Sequence, residues 1–250
     1  MELTQHPDAV ILDYGCGRGD IIEEGRKHGI CLYGVEIFYD QGTTTKAEVQ
    51  KKNLLGTSIK EIHDGKIPFS DSYFDGVISN QVFEHVTHLD CVLQEIHRVL
   101  KPGGFLVSIF PAKDVIREGH CGIPCLHWFS TASRLRFYYA LALRRLGFGY
   151  HKGDKSSEQW TRDFIAWLDE FTCYRERTVL FQEFQKYFTL SCLEPDYIAF
   201  RLNATSKLRY FKTCVGLSFF QPIIREICRR LGGLVILAQK DHSQRTYHEI

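Results

Sequence analysis

The sequence predicts an α/β fold in which helices cover both faces of a parallel β-sheet. Short apolar runs rich in β-branched and aromatic residues alternate with longer segments of helical periodicity over residues 9–110. Gly, Asp and Asn, which favour turns, bound these runs. A repeated strand-then-helix pattern is typical of a parallel sheet, because parallel strands need a long crossover connection. With 250 residues, 44% of them hydrophobic, the chain can bury a full core as one domain.

Six runs have strand character. A continuous apolar run bounded by turn residues is typical of a strand that is buried on both faces of a sheet. The four strongest are residues 9–14 (AVILDY), 31–36 (CLYGVE), 74–79 (FDGVIS) and 104–110 (GFLVSIF). A weaker strand is predicted over residues 57–62 (TSIKEI), and a last one over residues 234–240 (LVILAQK).

Helical segments lie between the first strands. They are predicted over residues 20–29, 45–55 and 89–104. In the last of these, Val92, Ile96 and Val99 share one face, and Pro102-Gly103-Gly104 predicts where the helix stops.

The alternating pattern breaks after residue 110, so we predict three parts within a single domain of residues 1–250. Residues 1–110 form the first half of the sheet. Residues 111–190 are helical and rich in aromatic residues, which indicates an insertion after the fifth strand. Residues 191–250 return to the sheet, starting with the segment 194–202 (EPDYIAFRL) and a helix over 221–233.

Charge and cysteine content exclude several classes of protein. The formal net charge of +1 gives no overall electrostatic reason to expect a nucleic-acid partner. Nine cysteines with scattered spacing indicate reduced thiols, and Cys121 and Cys125 lack a second pair at zinc-site spacing, so no metal site is predicted. Without a signal peptide or a run of about eighteen apolar residues, the chain is expected to be cytoplasmic.

A glycine-rich loop follows the first strand in ILDYGCGRGD, residues 11–20. Gly15, Gly17 and Gly19 allow a ligand to approach the main chain at the edge where parallel sheets bind ligands. The spacing misses the dinucleotide pattern G-x-G-x-x-G by one residue. Asp13 or Asp20 suits an ammonium group better than a pyrophosphate, so an amino-acid tail is favoured.

The residues match the motifs of a known family in order and spacing. ILDYGCGRG, GVE, IPFSDSYFDGVISNQVFEHV and EIHRVLKPGGFLVSIFP resemble the motifs of class I S-adenosylmethionine-dependent methyltransferases. The resemblance covers roughly residues 9–111. It implies a Rossmann-like, seven-stranded, mostly parallel sheet whose last strand is antiparallel, and it makes residues 1–110 the cofactor-binding half.

The resemblance also implies a set of cofactor-binding residues. Glu36, at the end of the second strand, should bind the ribose hydroxyls. Asp64 resembles the acid that meets the adenine, although the spacing is one residue short and a plain turn residue is the alternative. The methionine portion and the sulfonium should be bound by Asp13, Gly15, Cys16, Gly17 and Gly19, and by Asn80 and Gln81.

Three histidines are candidate general bases for an acceptor hydroxyl. His85 follows the fourth strand in VFEHV. His120 and His127 lie in REGHCGIPCLHWF, which resembles an E-x-H-x-x-x-P-x-x-x-W stretch found after the fifth strand in methyltransferases of glycan and secondary-metabolite pathways. A structural role in packing is the alternative for each of them.

The acceptor side of the site is expected to come from the insertion. Trp160, Phe164, Trp167 and Phe171 have helical spacing and indicate a lid core more than a ligand cage. The basic and aromatic run 134–152 is either a buried lid helix or a weak peripheral membrane contact. We predict a methyltransferase acting on a small molecule such as a sugar or metabolite hydroxyl. The alternatives are methylation of nucleic acid or protein, and a non-catalytic module that binds the cofactor.

Overall fold

A computed structural model describes residues 8–39, 43–204 and 219–242 of the chain. Seven strands form one sheet. They are β1 (Val10–Tyr14), β2 (Cys31–Glu36), β3 (Ile59–Glu61), β4 (Phe74–Asn80), β5 (Leu100–Phe110), β6 (Thr189–Cys192) and β7 (Leu234–Gln239). All six predicted strands are present, and β6 is the additional one.

The strand order is β3-β2-β1-β4-β5-β7-β6. The pairs formed by β1 to β5 are parallel, and β7 pairs antiparallel with both β5 and β6. The Rossmann-like sheet with an antiparallel last strand is therefore confirmed. Because the strand order reverses between β1 and β4, the loops after these two strands flank the crevice where such sheets bind ligands.

Eight helices of the described chain accompany the sheet. They are α1 (Asp20–Lys27), α2 (Thr43–Lys51), α3 (Leu89–Val99), α4 (Arg134–Arg145), α5 (Ser157–Phe171), α6 (Arg177–Gln185), α7 (Glu194–Ala204) and α8 (Gln221–Leu231). Three of them, α4 to α6, lie between β5 and β6 in the segment expected to be helical.

Alternate residues of the central strands face two separate cores, as expected for a sheet that is covered on both faces. Leu12 of β1 packs in one core with side chains of α3 and α6. Its neighbour Ile11 packs in the other core with Ile22 of α1 and Val49 of α2. A third core lies within the insertion, where Trp160 packs with residues of α4 and α5.

Two element boundaries differ from the sequence-based prediction. Strand β5 begins at Leu100, through the Pro-Gly-Gly that was expected only to end a helix, because Leu100 pairs with Phe74 and the register then shifts before Gly76. The return to the sheet starts at Thr189–Cys192, whereas the segment expected to begin it, residues 194–202, lies in helix α7.

The eight cysteines in the described ranges are all free thiols. Cys214 lies outside those ranges. Among the helices of the described residues, none combines the length and the apolar character that a membrane span requires.

Candidate functional site

The loop after β1 lies against the end of β2. The N–H groups of Gly15 and Cys16 both donate to the Val35 carbonyl, at 2.9 and 3.1 Å. The next residue, Gly17, donates its N–H to Glu36 Oε2 at 2.6 Å, and Ile37 donates its N–H to Glu36 Oε1 at 2.9 Å. Both oxygens of this carboxylate are therefore fixed at the loop, and burial raises the pKa of Glu36 above its usual value.

The loop glycines serve different purposes. A Cβ on Gly15 would come within 2.4 Å of a Val82 methyl group. Position 15 therefore has no room for a side chain, because Val82 packs against it. A Cβ on Gly19 would meet Ile59 and Leu54. A Cβ on Gly17 would meet nothing within 4 Å, so Gly17 is the loop glycine that faces open space.

A cavity of about 650 Å³ lies at this edge of the sheet; we name it the first cavity. Its wall brings together residues that are far apart in the sequence. The predicted site residues among its lining are Gly15, Glu36, Asp64, Gln81 and His85. Asp64 and Gln81 both adopt positive φ angles, of 51° and 56°, a backbone conformation that residues other than glycine seldom adopt.

Asp13 lies beneath the loop in β1 and is 2% exposed. Burial, reinforced by the nearby Glu36 charge, raises the pKa of Asp13 to about 7. Its Oδ2 has no hydrogen-bond partner among the described residues. Asp20, the other candidate for an ammonium group, is exposed and bonded to Lys52, so the two candidates differ in both burial and pairing.

The remaining predicted cofactor residues border the site differently. The Cys16 side chain is buried in the core shared with α1 and α2 and packs against Gly34, so only its main chain is presented to the loop. Asn80 is exposed at the end of β4. Neither residue lines the first cavity, so their cofactor-binding roles stay predictions.

Two of the three candidate histidines are in contact. His85 lies in a short 3₁₀ turn after β4, and His120 comes from the insertion. Their Nε2 atoms are 3.2 Å apart. His85 Nδ1 lies 2.6 Å from the Phe171 carbonyl, and burial lowers the pKa of His85.

Glu118 holds the other side of His120. Its Oε1 lies 2.7 Å from His120 Nδ1 and accepts a 2.7 Å hydrogen bond from the Tyr174 hydroxyl, and its Oε2 accepts the Cys121 N–H at 2.6 Å. Burial alone would raise the pKa of Glu118, but these three donors hold it at about 2. Glu118 is therefore an ionised, fully buried anchor for the histidine.

Two acidic residues of this cluster were missed by the sequence analysis. Glu84 precedes His85 directly and is 1% exposed, and burial raises its pKa to about 7. Glu118 occupies the first position of the quoted E-x-H pattern. The sequence could have indicated both acids, because each lies within two residues of a candidate histidine, His85 or His120.

His127, the third candidate base, lies apart from that contact. It is buried, and its ring packs against Tyr174 with the ring centroids 4.4 Å apart. Burial lowers its pKa. This environment is typical of a packing histidine.

A second cavity, of about 540 Å³, lies in the insertion. Its wall includes Trp160, Phe164 and Trp167 of α5, and also His120. Because His85 lines the first cavity and touches His120 in the second, the histidine pair lies between the two. Trp160 itself is 1% exposed and belongs to the lid core, so the α5 aromatics contribute to both core and cavity.

Comparisons with known proteins agree with this geometry. Residues 12–108 match the family described as "Methyltransferase domain". A sterol 4-C-methyltransferase from Caenorhabditis elegans is 30% identical over 136 residues, which are 46% of this chain and 39% of that protein. A mouse mitochondrial protein named arginine-hydroxylase is 34% identical over 116 residues, 45% of this chain and 32% of its own length.

The chain thus spans well under half the length of these two curated relatives. Among solved structures, an S-adenosylmethionine-dependent methyltransferase from Mesorhizobium loti is similar over 93% of this chain and 91% of its own, with a TM-score of 0.50 and 14% identity. That likeness concerns the fold. The motifs and the sheet order agree with the family match, so residues 12–108 of this chain are similar to methyltransferase domains.

Proposed function

We propose that this protein transfers a methyl group from S-adenosylmethionine to a hydroxyl of a small molecule that enters the second cavity. The observation that carries the proposal is the convergence of Gly15, Glu36, Asp64 and Gln81 on one cavity. The C. elegans relative is a methyltransferase with a small-molecule substrate by name, a sterol. The other relative is named as a hydroxylase, so the reaction needs a direct test.

The residues present fit the cofactor. Glu36 has both oxygens fixed by main-chain donors, and each oxygen retains a lone pair that can accept from a ribose hydroxyl. Asp13 is buried beneath the loop, where the charge of its carboxylate would attract an ammonium group bound at the loop. The free space in front of Gly17 lets a ligand reach the main chain. A volume of about 650 Å³ lies in the usual range for cofactor pockets.

When bound, the cofactor would supply a methyl carbon on a positively charged sulfur. In the transfer, the acceptor oxygen would bond to that carbon, and the electron pair of the broken carbon–sulfur bond would stay on sulfur. The protein's part is to orient the acceptor, exclude water and remove the hydroxyl proton. His85 and His120 lie where the two cavities meet, so the acceptor hydroxyl is activated at this pair. Phe164 and Trp167 would hold an apolar part of the acceptor.

Calorimetry with S-adenosylhomocysteine and with NAD tests the cofactor assignment. We expect S-adenosylhomocysteine to bind and NAD not to bind. Tight binding of NAD alone would overturn the assignment.

A radiolabel experiment tests the acceptor class. The protein is incubated with methyl-labelled cofactor and panels of sugars, phenols and other hydroxyl compounds, and in parallel with RNA and with cell protein. Label is expected in the small-molecule fraction. Label found only in RNA or protein would overturn the acceptor class and leave the cofactor assignment standing.

A further inference from the structure

Three side chains bring potential metal-ligating atoms together between the two cavities. They are Glu84, His85 and His120. One carboxylate oxygen and one ring nitrogen from each histidine all lie within 4.8 Å of one another. Within this cluster the two Nε2 atoms are 3.2 Å apart, and His85 Nε2 lies 4.0 Å from Glu84 Oε1.

The hydrogen bonds on the far side of each ring fix the tautomers. A carbonyl oxygen only accepts, so His85 Nδ1 carries the hydrogen in its 2.6 Å contact with the Phe171 carbonyl. Glu118 is likewise an acceptor for His120 Nδ1 at 2.7 Å. In both neutral rings the lone pair is then left on Nε2, and the two lone pairs face each other.

Two facing lone pairs need a positive charge between them, and the charge is either a shared proton or a metal ion. The 3.2 Å separation suits an ion, because two nitrogens at zinc–ligand distance with a tetrahedral angle are about 3.3 Å apart. The hydrogen bonds that the two Nδ1 atoms make on the far side of the rings are also typical of metal-bound histidines. Metal-bound histidines usually donate the other N–H to a carboxylate or a main-chain carbonyl, and the pair does both.

The environment of the Glu84 carboxylate favours a metal ion over a shared proton. Its side chain is fully buried, and both carboxylate oxygens lack a hydrogen-bond partner in the described part of the chain. Leaving a buried carboxylate unpaired is costly. A proton shared by the two histidines would leave Glu84 without a partner, whereas a divalent cation would be bound by all three groups.

We propose that Glu84, His85 and His120 bind a divalent transition-metal ion of the zinc type, with Glu118 and the Phe171 carbonyl orienting the two rings. Imidazole nitrogens with one carboxylate favour such an ion over Mg²⁺ or Ca²⁺, which prefer oxygen ligands. This site departs from the sequence-based expectation of no metal site, which considered cysteine spacing.

The position of the cluster between the two cavities suggests a role for the ion in the reaction, and this role rests on the proposed function. Three protein ligands leave a position open for a further oxygen. A hydroxyl of the acceptor bound there would release its proton to solvent at a lower pH than in water. The resulting oxygen anion would form the bond to the methyl carbon as the carbon–sulfur bond breaks. The expected acceptor is therefore a hydroxyl compound that can coordinate a metal.

Metal binding by the full chain tests the proposal without an acceptor. The protein is stripped with a chelator, titrated with Zn²⁺ by calorimetry and checked for metal content after dialysis. We expect one ion per chain, and at least a tenfold loss of affinity in Glu84→Gln and in His120→Gln. His28→Gln is the matched control, because His28 is exposed directly after α1 and bonds Glu24, and this variant should bind Zn²⁺ as the wild type does.

Absence of Zn²⁺ binding by the wild type, or binding that persists in both variants, overturns the proposal. Circular dichroism checks that each variant folds. The absorption spectrum of the wild type with bound Co²⁺ needs no variant, and we expect it to indicate nitrogen and oxygen ligands without sulfur. Calorimetry with S-adenosylhomocysteine separates the two proposals. Cofactor binding without Zn²⁺ binding removes only the metal site, and Zn²⁺ binding without cofactor binding removes only the proposed function.

Discussion

The main-chain N–H of Gly17 donates a 2.6 Å hydrogen bond to Glu36 Oε2 and so joins the loop after β1 to the end of β2. Ile37 holds the other carboxylate oxygen at 2.9 Å. The carboxylate is thus oriented by the fold itself, and a ligand that binds there does not bear the entropy of ordering it.

Replacement of Glu36 by alanine should weaken S-adenosylhomocysteine binding by about 1.5 to 3 kcal/mol, because hydrogen bonds to a charged group are lost. Calorimetry measures the change. Glu61→Ala is the matched control: Glu61 lies opposite Glu36 in the β2–β3 pairing but bonds Lys46. Equal affinity of Glu36→Ala and the wild type would remove Glu36 from the site.

Replacement of Asp13 by asparagine should stabilise the fold at pH 8 while it weakens binding of the cofactor's ammonium group. The folded-state pKa of Asp13 is about 7, above the ordinary 3.8, so its ionisation destabilises the wild type progressively as pH rises from about 4 to 7. The gain from the substitution is at most about 4 kcal/mol.

Urea unfolding at pH 4 and pH 8 measures this effect. The difference between variant and wild type should be small at pH 4 and large at pH 8. The wild-type affinity for S-adenosylhomocysteine should fall as pH drops below 7, since Asp13 is then protonated. A difference in stability that is independent of pH would show that folding leaves the pKa of Asp13 at its ordinary value.

Alanine at Gly15 and alanine at Gly17 should have different consequences. Both glycines have positive φ, of 77° and 53°, which costs about 1 to 2 kcal/mol for alanine. Only the methyl group of an alanine at position 15 would also collide with Val82. Gly15→Ala should therefore lower the melting temperature more, and Val82→Ala in the same chain should recover part of that loss.

Gly17→Ala should act mainly on ligand affinity, because its methyl group would occupy the open space in front of the loop. Calorimetry with S-adenosylhomocysteine and thermal melts of the two variants make the comparison. A larger loss of stability in Gly17→Ala than in Gly15→Ala would contradict this account of the loop.

Replacement of Tyr174 by phenylalanine should lower the free energy of unfolding by about 1 to 2 kcal/mol, because the fully buried Glu118 loses one of its donors. Tyr138→Phe is the control, since Tyr138 is 65% exposed in the same insertion. Its effect should stay within about 0.5 kcal/mol. Urea unfolding measures both, and equal effects would show that the Tyr174 hydroxyl contributes nothing to the fold.

Local patterns predicted the first half of the fold well, because its strands are apolar runs with clear ends. The predicted strand 31–36 has the bounds observed for β2. The start of β5 was missed, since pairing of Leu100 with Phe74 extends the strand through a Pro-Gly-Gly that locally indicates a stop. Strand β6 is short and alternates exposed with half-buried residues, so it lacks the apolar run that marked the others.

The site was predictable where the main chain forms it and less so where side chains do. The loop followed from its glycines after the first predicted strand, and the role expected of Glu36 followed from the resemblance to the methyltransferase family. The direction of the Cys16 side chain depends on the space left by Gly34, which no local pattern specifies. The contact of His85 with His120 depends on how the insertion folds back over the sheet, and neither sequence neighbourhood contains that information.

Trp167 lies beside the histidine pair, with ring centroids 5.1 Å from His120 and 6.2 Å from His85. Indole emission depends on the surroundings of the ring, so a ligand that binds at the histidine pair should change it. The protein therefore has an intrinsic fluorophore between its two cavities, and stopped-flow fluorescence can follow the order in which ligands bind there without any attached label.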